Sequence, residues 1–150
     1  MFGEKENKKI YRLNADYSNL SELRDFVAAE AVKHGFSNDD AYLISLAVDE
    51  ACTNLIRYAY KFDKTKKIEI IIAASNNKFI AKIKDSGAPF NPLDVPPPDM
   101  EEYFKEFKRG GLGIYIIRNA MDEISYIPAN STDSYNELTL VKYLSKNGKS

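Results

Sequence analysis

The sequence has 150 residues, of which 21 are basic and 22 acidic, and its formal net charge is −1. This length is typical of one domain, and the balanced charge encodes no general attraction to nucleic acid or to an anionic membrane. One cysteine and one histidine exclude an intramolecular disulfide and any metal site built from several such residues. No apolar run reaches the roughly 18 residues of a membrane span. We therefore expect a single cytoplasmic domain over residues 1–150, without a direct nucleic-acid or membrane partner and with flexible residues 1–8.

The chain begins with the pattern of a short strand followed by a helix. Residues 9–13 alternate as a strand does. Apolar residues at helical spacing then predict a first helix from about residue 20 to Gly35. Asn19 followed by Glu22 resembles a capping box, in which the first side chain accepts a backbone hydrogen bond at the helix start.

The second helix, residues 41–60, carries two polar residues in a largely apolar surround. Glu50 and Asn54 are four positions apart and therefore share a face of the helix. Carboxylate and amide oxygens suit Mg²⁺, and a carboxylate beside a metal-bound phosphate can act as a general base. Alternatively, these residues belong to the solvated stripe of an amphipathic helix, and the helix taken alone favours that interpretation.

Two hairpins follow from the alternation of apolar residues. The first combines residues 68–74 with residues 79–84, and the second combines residues 123–129 with residues 136–144. Together with the helices, these hairpins predict an α+β fold. We expect a two-layer sandwich with the helices on one face of a mixed, mostly antiparallel sheet.

Between the two hairpins lie a turn, a long connection and a glycine-rich segment. The first hairpin ends on Asp85, and Gly87 marks a tight change of direction. Prolines then interrupt residues 91–110, which we interpret as a lid over a binding site. Three glycines within residues 110–113 open the next helix, where free backbone N–H groups can approach a phosphate. A flexible hinge before a core helix is the alternative interpretation.

In these motifs and in their order, the chain resembles the anti-sigma factor serine/threonine kinases of the GHKL (Bergerat-fold, histidine kinase-like) ATPases. The segment EACTN at residues 50–54 is similar to the N-box of that family. The segment DSGAPF at residues 85–90 is similar to its first glycine box, and RGGLG at residues 109–113 to its second. The resemblance covers nearly the whole chain and implies the histidine kinase-like ATPase fold.

The resemblance also implies a role for each matched residue. Glu50 would be the catalytic base and Asn54 a ligand of Mg²⁺. Asp85 would accept a hydrogen bond from the adenine amino group, Gly87 would leave room for the ring, and Thr139 would support Asp85. The backbone of four residues would wrap the phosphates under the lid: Gly110, Gly111, Leu112 and Gly113.

The implied function is that of an ATP-binding, Mg²⁺-dependent anti-sigma factor with serine/threonine kinase activity. Its substrate would be an anti-anti-sigma protein, a STAS-type antagonist, in a partner-switching pathway that regulates transcription. A sigma factor as second partner and a homodimeric state are implied by the resemblance alone. The alternative is a non-catalytic, nucleotide-dependent protein-binding module.

Overall fold

The protein folds as a two-layer α+β sandwich in the computed structural model, which describes residues 7–94, 113–130, 132 and 134–144. Its strands are β1 (Asn7–Asn14), β2 (Lys67–Ser75), β3 (Lys78–Asp85), β4 (Glu123–Ile127) and β5 (Asn136–Tyr143). Its α-helices are α1 (Leu20–Lys33), α2 (Asn38–Asn54) and α3 (Gly113–Ala120). These elements confirm the predicted fold class.

The sheet has the strand order β1-β2-β3-β5-β4, and all four pairings between the described strands are antiparallel. The alternation of a strand puts one set of side chains on the helix side, where they are buried. This set includes Ile68, Ile70, Ile72, Phe79, Ala81, Ile83, Leu138 and Leu140. The register also places Asp85 opposite Asn136 at the end of the central β3–β5 pair.

The helical layer is centred on α2, which contacts both α1 and α3. Its buried residues include Ile44, Val48 and Cys52, and burial of each large apolar side chain stabilises the fold by about 1.5–3 kcal/mol. Cys52 is a free, fully buried thiol, and burial raises its pKa. Among the described residues, no helix is long and apolar enough to span a membrane.

A side chain caps the start of α2, whereas the capping box predicted at the start of α1 does not form. Ser37 Oγ accepts a hydrogen bond of 3.1 Å from the Asp40 N–H. Asn19 makes no capping hydrogen bond, because a 3₁₀ turn at Tyr17–Asn19 already gives it helical backbone angles. The side chain of Asp16 caps that turn by accepting from the Ser18 N–H at 3.1 Å.

The predicted second helix does not continue as a regular α-helix to Tyr60. Its last turn, Leu55–Ala59, is π-helical, a wider turn that is frequent at functional sites. Lys61 and Phe62 follow with φ angles of 51° and 67°, in the left-handed region that side chains other than glycine rarely adopt. The chain then runs through an exposed basic connection into β2.

Several predictions about the chain ends and the lid fall outside the described residues. Of the flexible start expected at residues 1–8, Asn7 and Lys8 lie in β1, and residues 1–6 are not described. The expected lid begins with residues 91–94, which include a 3₁₀ turn at Pro92–Asp94, and its remainder is not described. Gly110, Gly111 and Leu112 also lie outside the described residues, whereas Gly113 opens α3.

Candidate functional site

Asn54 lies on the wall of a narrow cavity between α2 and the sheet. It is only 8% exposed, and its Nδ2 atom has no hydrogen-bond partner in the part of the chain that the structure describes. The cavity is lined by Ala51, Asn54, Leu55, Ile83, Asp85, Phe90, Pro92, Tyr126 and Leu138. A buried polar atom without a partner is rare in folded proteins and calls for an explanation. The alternative that Asn54 belongs to a solvated stripe is therefore wrong.

Glu50 is half-buried one helical turn before Asn54. Burial raises the pKa of its carboxyl group, the negative charge of Asp49 raises it further, and Arg57 partly opposes the shift. Asp49 is itself buried and forms an ion pair of 3.2 Å with Arg24 on α1. A carboxylate with a raised pKa binds a proton more tightly and is a more effective general base near neutral pH.

Asp85, the last residue of β3, faces the same cavity from the sheet and is 2% exposed. Its Oδ2 atom accepts hydrogen bonds from the Gly87 N–H at 2.9 Å and from Asn136 Nδ2 at 3.1 Å. Both bonds use the same oxygen, so Oδ1 has no donor among the described residues. Burial raises the pKa of Asp85, and the two hydrogen bonds oppose that shift.

Asn136 is the residue that supports Asp85, and the sequence analysis did not identify it. Besides the bond to Asp85, its Nδ2 donates to the Gly87 carbonyl at 2.9 Å, and its Oδ1 accepts from the Ala129 N–H at 2.8 Å. The side chain is 1% exposed, so these three bonds hold three segments together in a buried environment. The alternation of Leu138 and Leu140 was the available signal, because it puts position 136 on the inner face.

The prediction that Thr139 supports Asp85 is wrong. In the sheet register Thr139 lies opposite Lys82 on β3 and Ser125 on β4. Position 139 is three residues from Asn136, and an odd separation along a strand puts a side chain on the opposite face. Thr139 therefore lies on the face of the sheet that points away from the helices.

Gly87 allows the Asp85 turn to approach the π-helical end of α2. A Cβ atom on Gly87 would lie 2.7 Å from the Ala59 carbonyl oxygen, which is closer than real Cβ atoms come. The same oxygen accepts a hydrogen bond of 3.2 Å from the Ala88 N–H. The structure thus gives a packing reason for glycine here, while its expected role beside an adenine ring stays a prediction.

Tyr60 also connects the Asp85 turn to the chain at the end of the π-helical turn. Its hydroxyl donates to the Lys67 carbonyl at 2.6 Å and accepts from the Ser86 N–H at 2.8 Å. The side chain is buried, so the two bonds are shielded from water. The turn that carries Asp85 is therefore attached directly to the helix that carries Asn54.

The segment that leads into the predicted lid is also anchored. The Phe90 N–H donates to the Tyr126 hydroxyl at 3.0 Å, and Arg118 Nη2 on α3 donates to the Leu93 carbonyl at 2.9 Å. The cavity has a volume of about 10 Å³, which is room for about one water molecule. A purine ring can enter only if the side chains of this segment, Phe90 and Pro92, move.

The donor set of the cavity fits a magnesium ion that arrives with a nucleotide. The described residues contain no group of three or more His, Cys, Asp or Glu side chains suited to hold a metal. Mg²⁺ in nucleotide sites is typically held by one or two protein oxygens together with phosphates and water. Because Asn54 Nδ2 has no partner, the amide can rotate its oxygen toward such an ion without losing a hydrogen bond.

Comparisons with known proteins agree with this geometry. The model of the histidine kinase-like ATPase domain matches residues 13–142. The serine-protein kinase RsbW of Bacillus licheniformis is 31% identical over 128 residues, which cover 83% of this chain and 78% of that protein. The serine-protein kinase RsbW of Bacillus mycoides (strain KBAB4) is 30% identical over 125 residues, covering 81% and 78% of the two chains. The chain therefore belongs to the histidine kinase-like (GHKL) ATPases and, within them, to the anti-sigma factor serine/threonine-protein kinase family.

Proposed function

We propose that this protein is an ATP-dependent serine/threonine kinase and anti-sigma factor that phosphorylates an anti-anti-sigma protein of the STAS type. The observation that carries the proposal is the meeting of Asn54 and Asp85 in one buried cavity, with Glu50 one helical turn away. The family supports ATP as the phosphoryl donor, and the RsbW relatives support a protein serine as the acceptor. A sigma factor as second partner, a homodimer, one domain over residues 1–150 and a cytoplasmic location belong to the same proposal.

The cavity residues divide the recognition of MgATP between them. Asp85, whose Oδ1 has no donor among the described residues, would accept a hydrogen bond from the adenine amino group. Asn54 would hold Mg²⁺ through its amide oxygen, and the bound ion supplies charge neutralisation to the phosphates. The backbone of residues 110–113 would hold the phosphates at the start of α3.

We assign to Glu50 the role of the base that accepts the hydroxyl proton. The acceptor hydroxyl oxygen forms a bond to the γ-phosphorus of ATP, the bond from that phosphorus to ADP breaks, and the Glu50 carboxylate takes the hydroxyl proton. The half-buried carboxylate does this at a raised pKa, which increases its affinity for the proton. Most of the remaining catalysis is positioning and electrostatics.

The test is phosphoryl transfer from labelled MgATP to candidate antagonist proteins, measured for the parent chain and for Glu50→Gln. The parent should label a serine or threonine of one antagonist. Glu50→Gln should lower the transfer rate by about 10²–10⁴-fold, the usual contribution of a general base, and should leave ATP affinity unchanged. The parent rate should also fall as the pH drops through the raised pKa of Glu50, because only the carboxylate accepts a proton.

Two results would contradict this assignment in different ways. Transfer by Glu50→Gln at the parental rate would remove Glu50 from the role of base. An ATP-dependent complex without any labelled antagonist would instead identify the chain as a non-catalytic, nucleotide-dependent binding module.

A further inference from the structure

Three aromatic side chains lie in solvent near Glu50, outside the nucleotide cavity. Tyr17 is 46% exposed, Tyr58 is 47% exposed and Phe62 is 56% exposed. Single exposed apolar residues are ordinary, whereas a contiguous exposed group marks an interaction surface. We call this group of three residues the aromatic rim.

The rim extends into the electrostatic range of the proposed base. The rings of Tyr17 and Phe62 meet edge to face with centroids 5.9 Å apart. Burial raises the pKa of the Tyr17 hydroxyl, Arg57 lowers it and Glu50 raises it, so that hydroxyl lies within range of both charges. The Arg57 guanidinium is 5.4 Å from the centre of the Tyr58 ring, which continues the surface.

The rim also reaches the cavity. The ring of Tyr58 stacks on Phe90 with centroids 4.9 Å apart and an interplanar angle of 22°. Phe90 lines the cavity that contains Asp85. The exposed surface therefore includes Tyr58 at the edge of the proposed nucleotide site and Tyr17 within electrostatic range of Glu50.

The backbone holds Phe62 in this exposed position. Its φ angle of 67° is an outlier for a bulky side chain, and its N–H donates to the Ile56 carbonyl at 2.8 Å. Lys61 before it has a φ angle of 51°. Strained residues at the surface persist when the neighbouring structure imposes them, and they concentrate at ligand-binding sites.

The charges beside the rim are predominantly positive. Residues 61–67 contain four lysines and one aspartate, and Arg57 adds a further cation. Lys64 lies 3.9 Å from Asp16, and Lys67 donates to the Asn14 side chain at 2.9 Å, so these two are engaged within the protein. Lys61 is exposed beside Phe62 and contributes its charge to the rim.

We propose that the aromatic rim, together with Arg57 and Lys61, is the docking surface for the protein that carries the acceptor hydroxyl. That hydroxyl must reach Glu50, and Tyr17 and Arg57 of this surface lie within electrostatic range of the Glu50 carboxylate. Its composition fits an acidic segment with an apolar side chain near the acceptor serine or threonine, because aromatic and arginine side chains are typical anchors of protein interfaces. The proposal rests on the proposed kinase function and names the surface and chemistry of its substrate.

The experiment measures steady-state phosphotransfer to the antagonist that the parent chain labels. Phe62→Asn removes the ring and suits the left-handed backbone, since asparagine tolerates that conformation. Its KM for the antagonist should rise about tenfold, the effect of a moderate interface anchor, with kcat and the KM for ATP unchanged. Lys61→Glu should raise the same KM and weaken its dependence on salt, because charges at an interface rim steer association.

Two control substitutions elsewhere on the surface remove an exposed aromatic ring and reverse the charge of an exposed lysine. Tyr42→Ala removes an aromatic that is 60% exposed near the start of α2, and Lys8→Glu reverses an exposed lysine on β1. Both should leave every parameter at the parental value.

The outcomes separate the docking surface from the kinase function. Phosphotransfer by Phe62→Asn and Lys61→Glu with parental KM values would overturn the docking proposal alone. A change in oligomeric state of Phe62→Asn, measured by light scattering, would assign the rim to a contact between copies of the chain and would also overturn it. Absence of phosphotransfer by the parent chain would contradict the proposed function itself.

Discussion

Asp85 and Asn136 form a buried polar pair whose geometry determines what the cavity can recognise. The amide of Asn136 uses both its donor and acceptor groups, and it holds the carboxylate of Asp85 through Oδ2. The other carboxylate oxygen then remains for a ligand. The hydrogen bonds of Asn136 fix the orientation of the Asp85 carboxylate in a buried environment, where such bonds are stronger than in water.

Because Asn136 supports Asp85, two substitutions on β5 should differ in their effects on stability and on ATP binding. Asn136→Ala leaves Asp85, the Gly87 carbonyl and the Ala129 N–H without this partner and should destabilise the fold by about 1–3 kcal/mol. It should also weaken ATP binding. Thr139→Val, on the other face of the sheet, should change stability by less than about 0.5 kcal/mol.

Urea denaturation and calorimetric titration with ATP measure both effects. An equal loss of stability or of ATP affinity in Thr139→Val would return the supporting role to Thr139.

The raised pKa of Asp85 predicts a pH-dependent difference between the parent and Asp85→Asn. The folded protein binds the Asp85 proton more tightly than the unfolded chain, so proton binding at Asp85 stabilises the folded state. This stabilisation is complete below the ordinary pKa of 3.8. It is lost as the pH rises through the raised value. The neutral asparagine lacks this loss, so Asp85→Asn should gain stability relative to the parent between acidic and neutral pH.

Denaturation of both proteins across that range measures the difference, with the exposed Asp25→Asn on α1 as a control. The same Asp85→Asn variant should bind ATP more weakly. A stability difference that stays constant with pH would contradict the raised pKa of the buried Asp85.

Residues of the site differed in how well the sequence predicted them. Glu50 and Asn54 share a helix, so a spacing of four residues was sufficient to bring them together. Asn136 and Asp85 are 51 positions apart, and their contact depends on a strand register that local patterns do not contain. The prediction for Thr139 was wrong for the same reason. Without the register, the sequence did not show that Thr139, three positions from Asn136, lies on the opposite face of the sheet.

At the scale of elements, the site depends on the junction between the π-helical turn and the Asp85 turn. The Ala59 carbonyl and the Tyr60 hydroxyl both bind backbone N–H groups of that turn, those of Ala88 and Ser86. These bonds set the position of the sheet end relative to α2. Asn54 and Asp85, which belong to different elements, thereby line one cavity.

This junction predicts that Gly87→Ala damages both stability and nucleotide binding. The new Cβ would lie 2.7 Å from a backbone carbonyl, which has no rotamer to move aside. Overpacking of this kind costs about 1–3 kcal/mol, and the displaced turn would move Asp85. Ala88→Ser, at an exposed neighbouring position, is the matched control.

Thermal and urea denaturation, followed by ATP titration, measure these effects. Parental stability in Gly87→Ala would show that the junction is not as tight as the structure indicates.

Periodicity predicted the elements better than their ends. Apolar residues at period two and at helical spacing were sufficient to predict β1, α1, α2 and both hairpins. The π-helical turn at Leu55–Ala59 contains no glycine or proline that would have indicated it in the sequence. The prediction that Asn19 caps α1 was wrong because the 3₁₀ turn before the helix gives Asn19 helical backbone angles.

At the scale of the whole molecule, the antiparallel sheet and α2 bring together motifs that are far apart in sequence. The order of the Glu50–Asn54 helix, the Asp85 turn and the glycines before α3 carried the family resemblance, which the matched family confirms. Neither the composition nor the net charge contained this information. The aromatic rim was also absent from the sequence analysis, because exposure of aromatic side chains becomes visible only in the folded chain.

The proposed binding of MgATP by Asn54 and Asp85 can be measured by calorimetric titration with nucleotides. The titrations compare ATP, ADP and GTP, with Mg²⁺ and with a chelator, for the parent and for Asn54→Leu. Leucine has the same number of side-chain heavy atoms, and Asn54 Nδ2 has no hydrogen bond to lose among the described residues, so the variant should fold.

The parent should bind ATP and ADP in a Mg²⁺-dependent manner, and Asn54→Leu should lose this dependence on Mg²⁺. GTP should bind at least about tenfold more weakly, because its carbonyl oxygen would face the Asp85 carboxylate in place of an amino group. Absence of adenine-nucleotide binding, or equal binding of ATP and GTP, would contradict the proposed binding of MgATP by Asn54 and Asp85.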